Sequence, residues 1–136
     1  MKRLFLAIGL FAAVACSDLR AQTMELRAKV PFDFRMGEKL MPAGQYLIHH
    51  SAGLLTVREQ GGSNTAAMFL TLPEYRPHTP TTGALEFNRY GENYFLAKIW
   101  APGSRDGRSL TKSSTEKEIA SRAGEVYSAS IPLQHK

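Results

Sequence analysis

The most regular feature of the chain is an alternation of apolar and polar residues that begins at Glu25 and ends at Arg35. Every second residue is apolar, and the residues between them are charged apart from Pro31. A repeat of two residues is typical of a β-strand that buries one face. Because Pro31 lacks a backbone N–H, we expect this strand at the edge of a sheet or at a bulge. The predicted inward residues are Leu26, Ala28, Val30, Phe32 and Phe34.

Shorter alternating segments follow a turn at 40–44. The predicted strands cover residues 45–50, 54–59, 65–72, 84–90 and 94–100. The strand at 65–72 is apolar on both faces, so we expect it in the centre of a sheet. The last two strands flank Gly91-Glu92-Asn93, which has the length of a bulged hairpin loop. In the second of them, the predicted inward residues are Phe95, Ala97 and Ile99.

Two segments have no strand periodicity. Residues 73–82 contain three prolines, which exclude a helix and argue against a central strand, so we interpret them as a surface crossover. Residues 101–108 contain Gly103 and Gly107 and are predicted to be a loop.

The C-terminal segment predicts one short helix over 115–123, which Gly124 would end. Its capping box is formed by one of two pairs, Ser113 with Glu116 or Thr115 with Glu118. A weak alternation over 125–131 predicts a closing strand. Together the elements predict an all-β, mainly antiparallel fold of about seven strands in a small sandwich or partly closed barrel, with one short C-terminal helix.

The N-terminus has the organisation of a signal peptide. Lys2 and Arg3 precede an uncharged apolar run over residues 4–15, which is too short to span a membrane. No later run approaches the length of a transmembrane span, so we expect none in the mature chain. We therefore expect an exported protein, either periplasmic or extracellular.

Two cleavage sites remain open. Ala13-Val14-Ala15-Cys16 resembles a bacterial lipobox in which Ala13 replaces the usual leucine, and cleavage there would make Cys16 a lipid anchor at the envelope. Cleavage after Ala21 instead makes residues 1–21 the signal peptide and 22–136 a single β-rich domain.

Composition and charge exclude several classes of site and partner. The 136 residues contain one cysteine, so the chain forms no internal disulfide and no multi-cysteine zinc site. The net charge is +5, and removal of Lys2 and Arg3 with the signal peptide lowers it to +3. This excess is modest and lacks a run of basic residues, so we do not expect nucleic acid as a partner.

Four motifs occur in order along the chain. They are Val30-Pro31-Phe32-Asp33-Phe34, Leu40-x-Pro42-Ala43-Gly44-x-Tyr46, Arg89-Tyr90-Gly91-x-x-Tyr94-Phe95-Leu96 and Trp100-x-Pro102-Gly103-Ser104-x-x-Gly107-Arg108. Over roughly residues 25–120 the chain thereby resembles a family of small, uncharacterised, exported β-rich proteins of soil-type bacteria. Because that family has no assigned activity, the resemblance implies export and a β-rich fold and carries over no catalytic or binding residue.

No pattern of catalytic or metal-ligating residues stands out. His49 and His50 are adjacent in a predicted strand, so they point to opposite faces and cannot share a metal ion. Glu86 and Glu92 lie near tyrosines, but a solvated strand face carries such residues without any catalytic role. The chain has neither a Gly-x-Ser-x-Gly elbow nor a glycine-rich phosphate loop before a helix. We therefore predict a protein that is not an enzyme and that uses no metal or cofactor.

Two groups of residues are candidate binding surfaces. Aromatic residues at strand ends could form a platform for sugar rings, although such residues more often pack in a core or an interface. Basic residues beside Gly103 and Gly107 could hold an anionic headgroup or a polysaccharide, although a solvated loop is their more common setting. The candidates are Tyr75, Tyr90, Tyr94, Trp100, Arg105 and Arg108, with Lys112 nearby.

Two functions stand ahead of a hydrolytic enzyme. The first is a non-catalytic envelope or extracellular module that binds another protein or a surface polymer or has a structural role. The second is a small β-barrel that holds a lipophilic ligand. A filled interior favours the first function, whereas a cavity of roughly 300 Å³ or more favours the second. The rings expected to fill that interior are Phe32, Phe34, Phe69, Phe87 and Phe95.

Overall fold

The computed structural model describes residues 24–61 and 65–135. The predicted signal peptide and Cys16 lie outside these residues. The strands are β1 (Met24–Val30), β2 (Phe34–Met36), β3 (Lys39–Met41), β4 (Gly44–Ser51), β5 (Leu54–Glu59), β6 (Ala66–Leu70), β7 (Leu72–Tyr75), β8 (Ala84–Tyr90), β9 (Asn93–Trp100), β10 (Asp106–Ser109), β11 (Tyr127–Pro132) and β12 (Gln134–His135), and the helix α1 spans Ser114–Ala123.

The strands form two sheets that pack face to face as a β-sandwich, which confirms the predicted fold class. The first sheet has the order β12-β1-β4-β5-β6, and all of its pairs are antiparallel. The second has the order β11-β8-β9-β10-β7, and the β2–β3 hairpin joins it through a parallel contact between Arg35 and Phe95. The strands are shorter and more numerous than predicted because the chain passes between the sheets several times.

The first of these passages interrupts the alternating segment at 25–35. β1 ends at Val30 and lies in the first sheet, whereas β2 begins at Phe34 and belongs to the second. Pro31 is exposed between them and ends the strand, in keeping with its missing N–H, but β1 lies between β12 and β4 rather than at the expected sheet edge. The predicted inward face is confirmed, since four of its five residues are buried and Phe32 is half-buried.

Aromatic rings fill one half of the space between the sheets. Phe34 makes edge contacts with Phe87 and Tyr46, with ring centroids 5.2 Å apart in each pair. Phe32 makes a similar contact with Phe87 at 5.1 Å and stacks on Tyr94 at 3.7 Å. We call this set the aromatic cluster. The interior is thus filled at this end of the sandwich.

The prediction that the strand at 65–72 is central is wrong. It divides at Thr71 into β6, an edge of the first sheet, and β7, an edge of the second. Met68, Leu70 and Leu72 are therefore 63%, 75% and 60% exposed. Apolar residues on both faces are typical of a strand with neighbours on both sides, but strand order depends on pairing partners that are distant in sequence. The predicted crossover at 73–82 is accordingly shorter, because its first residues belong to β7.

The predicted hairpin between β8 and β9 is confirmed, with a two-residue turn at Gly91-Glu92 rather than a three-residue loop. Gly91 has a positive φ of 60°, which glycine adopts without strain. A bulge shifts the register so that Phe87 pairs with Leu96 and Ala97 has no partner in β8. Leu96 therefore takes the core position predicted for Ala97.

The bulge also changes the predicted orientation of Phe95. This ring is buried on the outer face of the second sheet, where it makes an edge contact with Tyr90. Helix α1 lies beside β8 on that face. Ser113 is its N-cap and accepts a hydrogen bond from Glu116 N at 3.1 Å, so the first of the two predicted caps is the one used. Gly124 ends the helix as predicted.

The segment at 101–108 is not wholly a loop, since β10 begins at Asp106 and pairs with both β9 and β7. Gly107 lies directly against the ring of Trp100, where a side chain would collide with the ring and with the backbone of Ile99. The glycine that suggested a loop is thus required by close packing within a strand.

The predicted closing strand is β11, which pairs with β8. The chain then crosses at Leu133 to the first sheet, where β12 pairs with β1. Within residues 24–61 and 65–135, no helix is both long and apolar enough to cross a membrane.

Candidate functional site: a cleft between the sheets

A cleft of about 350 Å³ opens between the two sheets at the end away from the aromatic cluster. β4 links the two regions, because Tyr46 packs in the cluster while Ile48 and His50, two and four residues further on, line the cleft. The residues around the cleft come from β1, β4, β7, β9, β10 and the segment after β9. They are Leu26, Ile48, His50, Pro73, Tyr75, Ile99, Ala101, Asp106, Gly107 and Arg108.

The floor of the cleft is aliphatic. Leu26 and Ile48 are paired across β1 and β4, and Ile99 faces them from the second sheet. None of these three side chains has an aromatic ring. The space between the sheets therefore stays open here, whereas phenylalanine rings fill it at the other end. The cavity is therefore as large as the predicted threshold, but it is lined by residues other than the five phenylalanines.

Arg108 forms one wall of the cleft, and its guanidinium is held in place. Its Nε donates to Thr71 Oγ1 at 2.9 Å, and its Nη2 donates to Thr71 O at 3.2 Å. Thr71 in turn donates from its N and Oγ1 to Gly53 O at 2.9 and 2.8 Å. This connection joins β10 to the β6–β7 crossover and to the β4–β5 turn, so the arginine has little freedom to move.

His50 lies on the inner face of β4, opposite this wall. Its Nε2 is buried and has no hydrogen-bond partner among the described residues. Burial is the main cause that lowers the pKa of His50, followed by the charges of Arg108 and His49. The imidazole is thus neutral at neutral pH, and the stability that depends on its neutral form is lost as the pH falls below about 6.5.

The rim of the cleft carries Asp106 and Tyr75, which are paired across β10 and β7. Asp106 is exposed, and its Oδ2 accepts a hydrogen bond from Ser104 Oγ at 3.3 Å. Tyr75 is 74% exposed. The cleft thus combines an aliphatic floor, one fixed cation, one neutral imidazole and a rim that is accessible from solvent.

The structure brings two of the predicted surface residues, Tyr75 and Arg108, to this cleft. Arg105 is exposed in the preceding loop, where its Nε donates to Arg76 O at 3.2 Å. Tyr94 lies in the aromatic cluster, at the other end of the sandwich. Cys16, the predicted site of lipidation, lies outside the described residues.

The other two candidates, Tyr90 and Trp100, are buried on the outer face of the second sheet. Tyr90 donates to the carboxylate of Glu116 at 3.1 Å, and burial together with that carboxylate raises the pKa of Tyr90 to about 12. Trp100 donates from Nε1 to Glu86 at 2.8 Å, and the guanidinium of Arg76 lies 4.4 Å from its ring centroid. The four candidate aromatics therefore do not form one platform.

Sequence reasoning missed most of the cleft. Asp106 and Arg108 were assigned to a loop, and only a strand with a period of two places both side chains on one face. The adjacent histidines were correctly separated onto opposite faces, but nothing in the local pattern indicated that His50 faces a cavity. His50, Asp106 and Arg108 come together through sheet packing, which no short sequence window contains.

Within the described part of the chain, no group of three or more His, Cys, Asp or Glu side chains is arranged to hold a metal ion. No family model, curated protein or solved structure matches the chain.

Proposed function

We propose that this protein is an exported, non-catalytic binding module that holds a small, largely apolar molecule in the cleft between its sheets. The observation that carries the proposal is the cleft itself, with its aliphatic floor and few polar groups. Binding sites for small molecules are typically concave, mainly apolar and roughly 300–1,000 Å³ in volume. At about 350 Å³, this cleft has room for a small ligand rather than for a complete lipid.

The absence of a catalytic role is part of this proposal. Among the residues that line the cleft, His50 has the side chain best suited to act as a general base. No serine, threonine or cysteine is among the lining residues that the structure describes. Asp106 lies on the solvent side of the rim. Binding without turnover is the simplest chemistry that these groups support.

Filling the cleft tests this proposal. In the variant Ala101→Phe the ring would occupy space beside Ile99, so we expect the dissociation constant of the neutral dye phenylnaphthylamine to rise by about tenfold or more. The measurement is a fluorescence titration of the purified protein at constant dye concentration. The matched control is Ala123→Phe, at the exposed end of α1, which should bind the dye as the unmodified protein does. Dye binding that is not saturable, or that is equal in the two variants, would contradict the proposal.

A second candidate function is assembly of this chain with a copy of itself, as expected of a structural envelope module. It is favoured by β6, which pairs with β5 on one side and with no strand on the other among the described residues. Residues 66–72 contain no charged side chain, and Met68 and Leu70 are exposed on that edge. An apolar edge readily pairs with another strand, and here the flexible side chain of Lys39, which donates to Ala66 O, would move aside. Two-fold antiparallel pairing of β6 would extend the first sheet across two copies.

A charge on this edge tests assembly. If the edges pair, Met68→Lys should convert a dimer into a monomer, because antiparallel overlap of Ala66–Leu70 places residue 68 of each copy at the two-fold axis, where two lysines would face each other. Sedimentation velocity over a range of protein concentrations measures the change. Val126→Lys introduces the same charge at another exposed apolar position and should leave the dimer intact. A wild-type protein that is monomeric throughout that range would exclude this function.

A further inference from the structure

The polar groups of the cleft indicate what kind of molecule it selects. Arg108 is half-buried, and its bonds to Thr71 engage Nε and Nη2 while Nη1 has no partner among the described residues. Both acceptors on Thr71 are uncharged oxygens, a hydroxyl and a carbonyl. Within the same residues, no carboxylate forms an ion pair with this guanidinium.

A half-buried charge beside an aliphatic floor is unfavourable unless an opposite charge offsets it. Guanidinium groups pair particularly well with carboxylates, because their N–H groups match the two carboxylate oxygens. The bonds to Thr71 hold the guanidinium in place before a ligand arrives, which lowers the entropy lost on binding. The free Nη1 therefore provides an anchor for an anionic group on a ligand whose apolar part lies on Leu26, Ile48 and Ile99.

His50 supplies a second polar group for the same ligand. Its unpartnered Nε2 lies in a buried position on the cleft wall facing Arg108. A buried polar atom without a hydrogen-bond partner is uncommon and calls for a ligand or a water molecule. A ligand oxygen within hydrogen-bond distance of both groups would satisfy this atom as well.

Asp106 sets a limit on the ligand. It lies two residues from Arg108 on the same face of β10, roughly 6–7 Å along the strand. A single negative charge placed at Arg108 avoids direct contact with Asp106, whereas additional charge reaching toward the rim would be repelled. This arrangement favours a singly charged head over a more highly charged one.

We propose that the cleft selects small monocarboxylic acids with an apolar tail, and that Arg108 binds the carboxylate. The proposal rests on the proposed function, since it names the ligand class for the same cleft. The carboxylate is the headgroup to which we commit. A phosphate monoester shares its negative charge and is distinguished in the experiment.

Competition against phenylnaphthylamine tests the headgroup. At neutral pH, octanoate should displace the dye at a concentration about tenfold or more below that needed for octanol, which has the same tail without the charge. Arg108→Gln should abolish this difference, because it weakens the binding of octanoate and leaves the binding of octanol nearly unchanged. Arg105→Gln removes the same charge from the adjacent exposed loop and should retain the difference.

Asp106→Asn provides a second variant that leaves the bonds between Arg108 and Thr71 intact. It should strengthen octanoate binding severalfold and leave octanol unchanged, because it removes a repulsive charge. Equal displacement by octanoate and octanol in the unmodified protein would overturn the carboxylate assignment while leaving the apolar cleft in place. Tighter binding of octyl phosphate than of octanoate would also overturn it. Failure of the dye to bind at all would instead overturn the proposed function.

Discussion

Replacing Phe87 with alanine should lower the free energy of unfolding by about 3–5 kcal/mol, the largest effect that we expect from a single substitution in this protein. The ring is fully buried and contacts the rings of Phe32 and Phe34, so its removal opens a cavity in the middle of the aromatic cluster. The neighbouring backbone is held in sheet pairing on both sides, with β9 and with β11. The surrounding residues can therefore close only part of the cavity.

Urea unfolding followed by far-ultraviolet circular dichroism measures this loss. Tyr127→Ala is the matched control, because Tyr127 lies on the neighbouring strand β11 but is 60% exposed. It should change the unfolding free energy by roughly 1 kcal/mol or less. Similar losses in the two variants would mean that the aromatic cluster is not the centre of the core.

Replacing Glu116 with alanine should lower the free energy of unfolding by about 2–4 kcal/mol. Its carboxylate is buried between α1 and β8 and accepts hydrogen bonds from Asn88 Nδ2 at 2.9 Å and Tyr90 Oη at 3.1 Å. The substitution leaves these two donors without their acceptor and removes the polar contact between the helix and β8, while the contact between Thr115 and Glu38 remains. We expect the packing around Phe95 to loosen at the same time.

Glu118→Ala is a closely matched control, since it is the same change on the same helix. Glu118 is exposed and pairs with Arg122 at the i,i+4 spacing, so its loss should cost about 0.5 kcal/mol or less. The same urea titrations compare the two variants. Equal effects would show that the buried contacts of Glu116 contribute nothing beyond helix formation. Because α1 lies on the outer face, neither change should alter dye binding by protein that remains folded.

The two halves of the interior differ in a way that bears on function. The half that contains Phe34 and Phe87 is packed with rings, and Phe34 of the second sheet contacts Tyr46 of the first. The other half has smaller aliphatic side chains and a fixed arginine, and it remains open. A rigid, filled half can hold the walls of the open half in position without any ligand. This separation allows changes at Ala101 or Asp106 to be tested for binding with little effect on the core.

Much of the fold was predictable from local patterns. The strict alternation from Leu26 to Phe34 identified the inward face, and β5 and β8 have the predicted bounds. The end of α1 at Gly124 followed from a residue type with a strong local preference, and Ser113 was one of the two caps that the sequence allowed. In each case, the feature depends on residues a few positions apart, which a single sequence contains in full.

The candidate site was far less predictable. Tyr75 and Arg108 were identified as binding candidates, but on the basis of residue type rather than of a shared location. Met68 and Leu70 were expected in a sheet centre and lie on an edge, while Ala97 was displaced from its expected core position by a bulge. Each of these differences arises from pairing between strands that are distant in sequence.

Local sequence was therefore enough to determine that this chain forms β-strands, which residues between Leu26 and Phe34 point inward, and where its helix ends. Periodicity and capping report short-range preferences, which the tertiary structure retained in β1 and α1 but overrode at the bulge beside Phe95. Strand order, the passage of the chain between sheets at Pro31 and Thr71, and the meeting of His50 with Arg108 were decided only by the tertiary structure. These features depend on which distant segments bury each other's apolar faces. The free energy gained from this burial becomes available only once both sheets are assembled.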